Sequence, residues 1–128
     1  MSDRQPTEGE LAILQVLWKQ GSPCTVRDVH DALSLTKDTA YTTVLKMMTI
    51  MSEKGLVVRD ESERSHRYAA VDPEPVVQSA LLQDLMRRAF AGSALQLVQR
   101  ALDAQSASAQ DLDAIARLVA KAKTKRKS

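Results

Sequence analysis

A chain of 128 residues with 44% hydrophobic but only 3% aromatic residues has length for one domain, or one with an appendage, and a core that must be aliphatic, which suits helices better than a sandwich or barrel. One cysteine, Cys24, and two histidines, His30 and His66, exclude an intrachain disulfide framework, a multi-cysteine metal site and a histidine-rich centre, so neither metal nor cofactor is expected. The formal charge of +2 is unevenly spread: Lys121, Lys123, Lys125, Arg126 and Lys127 crowd residues 121–128, leaving residues 1–120 with 13 bases against 16 acids.

Thr7 and Glu10 form a capping-box pattern, with Pro6 and Leu11 placed like a hydrophobic staple, so a helix is predicted from about Glu8 to Gln20, ended by Gly21-Ser22-Pro23. Thr25 and Asp28 repeat the pattern before a second helix, about Val26 to Leu35, with Val26, Val29 and Leu33 on one side. A third helix is predicted from an N-cap at Asp38 to Lys54, stopped by Gly55. The period then changes. Leu56–Arg59 and Arg67–Val71 read as strands, joined by a polar tip centred on Asp60–Ser65. Asp72-Pro73-Glu74-Pro75 is a break. Three further helices follow at about 75–90, 93–104 and 108–123, the last two with capping patterns at Ser93/Gln96 and Ser108/Asp111. Met1–Gln5 has no apolar signal core, and no run approaches the roughly 18 apolar residues of a spanning helix, so a cytoplasmic protein without membrane insertion is expected.

Three helices and a two-stranded hairpin in this order give a mainly α fold with a small β-hairpin: a winged helix-turn-helix over residues 1–72, followed by a helical dimerisation region over 73–128 with a basic tail. In such a domain the third helix enters a DNA major groove and the hairpin touches the flanking backbone, although winged helices also serve as protein–protein modules. At about 100° per residue, Ala40, Val44, Met47, Met48 and Met51 should face the core, and Thr42, Lys46, Thr49 and Glu53 fall on the opposite side. Threonine is a poor helix former, so its presence on an outward face suggests use of the hydroxyls and methyls on base edges, against the plainer reading of a solvated face. Tyr41 and Thr43 sit where a phosphate would lie, or Tyr41 packs on the second helix. The hairpin adds Arg64 and His66 on one face and Arg67 on the other, beside Glu61 and Glu63, which would repel a phosphate backbone. The methionines read as core filling rather than soft-metal ligands, and Cys24 as a buried small residue rather than a reactive thiol.

Past the break, Val77, Leu81 and Leu85, then Leu95, Val98 and Leu102, then Leu112, Ile115 and Val119 form three apolar stripes. Helices this short bury little alone, so a second copy is the expected partner, with folding back on the winged domain as the alternative. The basic tail reads as a frayed, solvated helix end or as a source of sequence-independent phosphate attraction. No nucleophile elbow, zinc-protease helix, phosphate loop or dinucleotide fingerprint is present, so no enzyme is expected.

Thr25-Val26-Arg27-Asp28-Val29-His30-Asp31-Ala32-Leu33, Ala40-Tyr41-Thr42-Thr43-Val44-Leu45, Glu53-Lys54-Gly55-Leu56-Val57 and His66-Arg67-Tyr68 together resemble the BlaI/MecI penicillinase-repressor family, strongly over residues 7–71 and more loosely over 75–123. The resemblance implies a homodimeric winged-helix repressor that binds palindromic double-stranded operators, commonly ahead of antibiotic-resistance genes. It implies release when a membrane-bound sensor metalloprotease, switched on by a β-lactam, leads to cutting in the dimer region. Carried onto this sequence, the family's DNA contacts fall on Tyr41, Thr42, Thr43, Lys46 and Arg64. Two departures stand out: Ile50 occupies a position that is usually basic, and Arg100-Ala101 stands where the family's cleaved bond joins Asn to Phe. The cysteine pattern of the copper-responsive branch is missing.

Overall fold

In the computed structural model, which describes residues 5–127, the first helix, α1, spans Glu8–Gln20, as its capping pattern dictates. The Thr7 hydroxyl accepts from the Glu10 amide at 3.2 Å, and a Glu10 carboxylate oxygen accepts from the Thr7 amide at 3.0 Å. At the other end Gly21 takes the left-handed conformation, φ 70°, that lets its amide reach the Leu17 carbonyl. The same reciprocal cap, Thr25 with Asp28, starts α2, Val26–Leu33.

Helix α2 stops at Leu33 rather than Leu35, because the Thr36 and Lys37 amides both turn back onto the Leu33 carbonyl. Asp38 is not the next cap. The third helix, α3, spans Tyr41–Lys54, and its N-cap is Ala40, without any side-chain cap. Ala40 is therefore exposed instead of facing the core, and its carbonyl accepts from Thr43 and Val44. The His30 ring, whose Nε2 lies 2.8 Å from the Thr39 carbonyl, ties the extended residues before α3 to α2. Gly55 ends α3 in the left-handed region, as expected.

The strands β1, Val57–Asp60, and β2, Arg67–Ala70, pair antiparallel from Val57 opposite Ala70 to Asp60 opposite Arg67. The ladder thus sits one residue later on its first strand than the apolar run suggested; Leu56 instead receives the Val71 amide through its carbonyl. Cys24 and Tyr68 exchange both backbone hydrogen bonds, at 2.9 and 2.7 Å, so the loop before α2 adds a one-residue third strand. Ile13, Leu14 and Leu17 of α1, Val26 and Val29 of α2, Val44, Met48 and Met51 of α3, and Val57 and Tyr68 of the hairpin close around that bridge into one core that is aliphatic except for the tyrosine ring.

One charged group lies inside it. Glu10 is only 5% exposed, and Lys54 at the end of α3 reaches it at 2.7 Å, joining the first turn of α1 to the last turn of α3. The Trp18 indole donates to the Asp72 carbonyl at 3.0 Å and fixes the chain where it leaves β2.

Cys24 is buried, as its position suggested, and burial first, then the Asp28 charge, pushes its thiol up from the usual range. A raised native value means that ionisation favours the unfolded chain, so Cys24 contributes stability that is fully present below the ordinary thiol range and lost as pH rises through it. The expected result is that a disulfide exchange reagent at pH 8 labels the folded protein at least about 100-fold more slowly than the urea-unfolded chain. Equal rates would contradict the burial.

Three helices complete the chain: α4, Glu74–Ala89; α5, Ala94–Asp103; and α6, Ala109–Lys127. The Ser108 hydroxyl and the Asp111 carboxylate cap each other's backbone, whereas at Ser93 only the hydroxyl's half of the pattern forms. The basic tail is helical, α6 continuing through it to Lys127, and its residues 121–126 are exposed. The chain divides into two compact units at Leu81 and Leu82, within α4. Neither α4 nor α5 holds a buried residue, and Leu85, Leu95, Val98, Leu102, Leu112, Leu118 and Val119 are all exposed. No helix among the described residues is long and apolar enough to cross a membrane.

Candidate nucleic-acid interface

The two faces of α3 separate as helical periodicity requires. Val44, Met48 and Met51 are fully buried, Met47 is half-buried against the core, and Thr42, Thr43, Lys46 and Glu53 are exposed on the other side. Thr49 is half-buried, and its hydroxyl donates to the Leu45 carbonyl one turn back at 2.9 Å. Its proton is committed to its own helix, which leaves the oxygen as an acceptor and the methyl as a contact. Between the threonines and the core, Leu45 and Ile50 expose about two fifths of their surface (41% and 39%). The outward ridge is therefore short, hydroxyl-bearing and partly apolar, with Lys46 its cation.

Tyr41 begins the helix and serves both readings considered for it. Its ring packs on α2, edge-on to His30 with centroids 5.8 Å apart, yet it is 39% exposed. The Arg27 guanidinium lies over the same ring, 5.4 Å from its centroid. Arg64 and His66 belong to the hairpin tip and not to a strand, so strand alternation does not order them. They nevertheless face one cleft of about 410 Å³ between the start of α2, the start of α3 and the tip. Arg27, Tyr41 and Leu45 form its other wall.

The hairpin acids are not loose. Glu61 pairs with Arg59 at 2.6 Å, and Glu63 with Arg67 at 3.4 Å. A hydrogen bond that the Arg59 guanidinium donates to the Tyr68 hydroxyl oxygen, and then the charge of Glu61, hold Arg59 above its usual value. Asp60 accepts from the Ser62 amide at 2.9 Å, and that bond holds its carboxyl below the usual range. The repulsion expected from Glu61 and Glu63 is thus largely neutralised within the wing. Arg27 and Arg64 have no ion-pair partner among the described residues.

Arg27 and His30 were not singled out from the sequence. Nothing in their spacing marks them, because their meeting with Tyr41 depends on how α2 crosses α3. No group of histidine, cysteine and carboxylate side chains that could hold a metal ion occurs among the described residues.

In the C-terminal helices, Leu85, Leu95, Val98, Leu102, Leu112 and Val119 are exposed, while Leu81 and Ile115 are half-buried. The Arg100–Ala101 bond lies inside α5, with the Arg100 guanidinium paired to Asp103 at 2.8 Å.

A family model described as penicillinase repressor matches residues 6–121 of the chain. Two proteins described as transcriptional regulator BlaI, from two strains of Mycobacterium tuberculosis, are each 39% identical to it over 80 residues. The matched stretch covers 62% of this chain and 58% of theirs, so the chain spans less than two thirds of the length of the curated relatives it matches.

Proposed function

The chain belongs to the penicillinase repressor family, and from that premise we propose that it is a sequence-specific DNA-binding repressor of transcription that acts as a homodimer on palindromic operators. The observation that carries the reading is the division of α3. Its inner side is sealed by Val44, Met48 and Met51, and its outer side offers Thr42, Thr43, Lys46 and Thr49 on a winged helix-turn-helix frame. Residues 1–72 read DNA, and residues 73–128 bring two copies together through Leu81, Leu85, Leu95, Val98, Leu102, Leu112, Ile115 and Val119. Two α3 helices spaced by a helical turn or more then read two half-sites, which multiplies affinity without any new contact.

Within each half-site, Thr42, Thr43 and Thr49 discriminate bases, while Lys46, Tyr41, Arg64 and His66 fix register on the backbone. Thr42→Ala is expected to weaken operator binding by about 1–3 kcal/mol while leaving random duplex unaffected. Lys46→Ala is expected to weaken both and to flatten the salt dependence. Gel-shift titrations of each variant at two salt concentrations decide this. Equal losses on operator and random DNA for Thr42→Ala would remove the base-reading role. Failure of the unaltered protein to shift any duplex at low salt would leave the winged helix as a protein-docking module.

The regulated genes belong, on this reading, to a β-lactam or envelope-stress response. Release follows from cutting in the dimerisation region by a membrane-bound sensor metalloprotease, or from another signal. A protease acts on extended chain, so the Arg100–Ala101 bond becomes a substrate only when the last turns of α5 open. Incubating the protein with membranes from β-lactam-treated cells and mapping fragments by mass tests that position.

A further inference from the structure

The cleft between α2, α3 and the wing has a feature that reading bases does not require. Arg27, Arg64 and His66 line it, together with Thr25, Ser65 and Tyr41, and no carboxylate residue does. The nearest acids on the wing are already taken by Arg59 and Arg67. A guanidinium over an aromatic face is held by the ring quadrupole while its edge N–H groups remain free for an oxygen acceptor. His30, edge-on to the same ring and tied through Nε2 to the Thr39 carbonyl, keeps Tyr41 from turning away beneath it.

We propose that this cleft is a seat for one backbone phosphodiester of duplex DNA, gripped from the α2 side by Arg27 on its Tyr41 platform and from the wing side by Arg64. The inference rests on the reading of α3 as a groove-binding helix and adds to it a residue and a ligand group. The assignment of Arg27 is to the DNA backbone and not to bases: it sits on α2, off the α3 ridge, and its plane is fixed by the tyrosine. Phosphate contacts of this kind position a protein without reading sequence. The seat therefore sets how tightly the protein holds any duplex, and the α3 ridge sets which duplex it prefers.

The test uses the full chain, a random-sequence duplex of 20 base pairs and an operator obtained by selection from a randomised duplex library. Arg27→Ala is expected to weaken both duplexes by a similar factor, about tenfold at low salt. It should also lower the slope of log affinity against log salt by about 1.8, the loss of one neutralised phosphate in each of the two subunits of the bound dimer. The preferred sequence recovered by selection should not change. Arg27→Lys should keep the slope and lose part of the affinity, since an ammonium keeps the charge but not the planar seat. Tyr41→Leu, which removes the platform, should make a further Arg27→Ala change nearly silent. A normal circular dichroism spectrum shows that each variant is folded. An unchanged slope and affinity in folded Arg27→Ala would overturn the seat while leaving the repressor reading intact. So would a loss confined to the operator, or an altered preferred sequence. If the unaltered protein binds neither duplex at low salt, both readings fall.

Discussion

Aspartate placed at both Leu102 and Val119 is expected to convert a dimer into a monomer and to lower operator affinity about 100-fold. These side chains stand on α5 and α6, helices whose apolar stripes have no buried member to lean on, and both are exposed in a single copy. Carboxylates there cost the isolated chain little by comparison, since 39% and 49% of these residues are open to water. In the proposed two-fold interface each would meet apolar side chains of the other copy, where an unpaired charge is prohibitive. Sedimentation gives the mass and a gel shift gives the affinity. A mass that does not change would remove these stripes from the interface. A mass that halves while operator binding stays tight would remove dimerisation from the mechanism.

The second large effect lies in the winged unit. Lys54→Met is expected to lower its unfolding free energy by about 3 kcal/mol, because it strands a nearly buried carboxylate whose cationic partner among the described residues is that ammonium. Adding Glu10→Gln should restore a good part of the loss, since the amide oxygen can still accept from the Thr7 backbone and no charge remains to be solvated. Urea unfolding followed through Trp18 gives both values. A single variant as stable as the starting protein would mean that Glu10 reaches water more easily than its burial allows.

The sequence carried most of the fold. Thr7, Thr25 and Ser108 each announced a helix because capping chemistry is local: a hydroxyl, an amide three residues on and a returning carboxylate are all within one turn. Gly21 and Gly55 marked helix ends for a similarly local reason. The misreadings came where a distant partner decides. Asp38 looked like a cap, but the turn after α2 is set by carbonyls of Leu33 and Thr39, and α3 starts without any side-chain help. Glu10 read only as the second half of a cap, yet its other partner, Lys54, lies far along the chain. The outward ridge of α3 was legible from period alone. Arg27 was not, since nothing in a linear string says which ring it will lie on. The wing misled in the other direction: Glu61 and Glu63 counted as free acids until their partners Arg59 and Arg67 were in place.

Helix α3 rests on Val44, Met48 and Met51, with Met47 wedged beside them. Unbranched thioethers re-pack at little cost, and a swap of methionine for leucine at such a site costs under about 1.5 kcal/mol. The inner side of the helix can therefore drift through many hydrophobic sequences without disturbing its position. On the proposed reading the outer side has no such latitude, for a methyl or hydroxyl moved there is moved against a base. One short rod is thus subject to two regimes of substitution, permissive within and strict without, and new binding preferences can arise by changing the ridge while the bed beneath it stays in place.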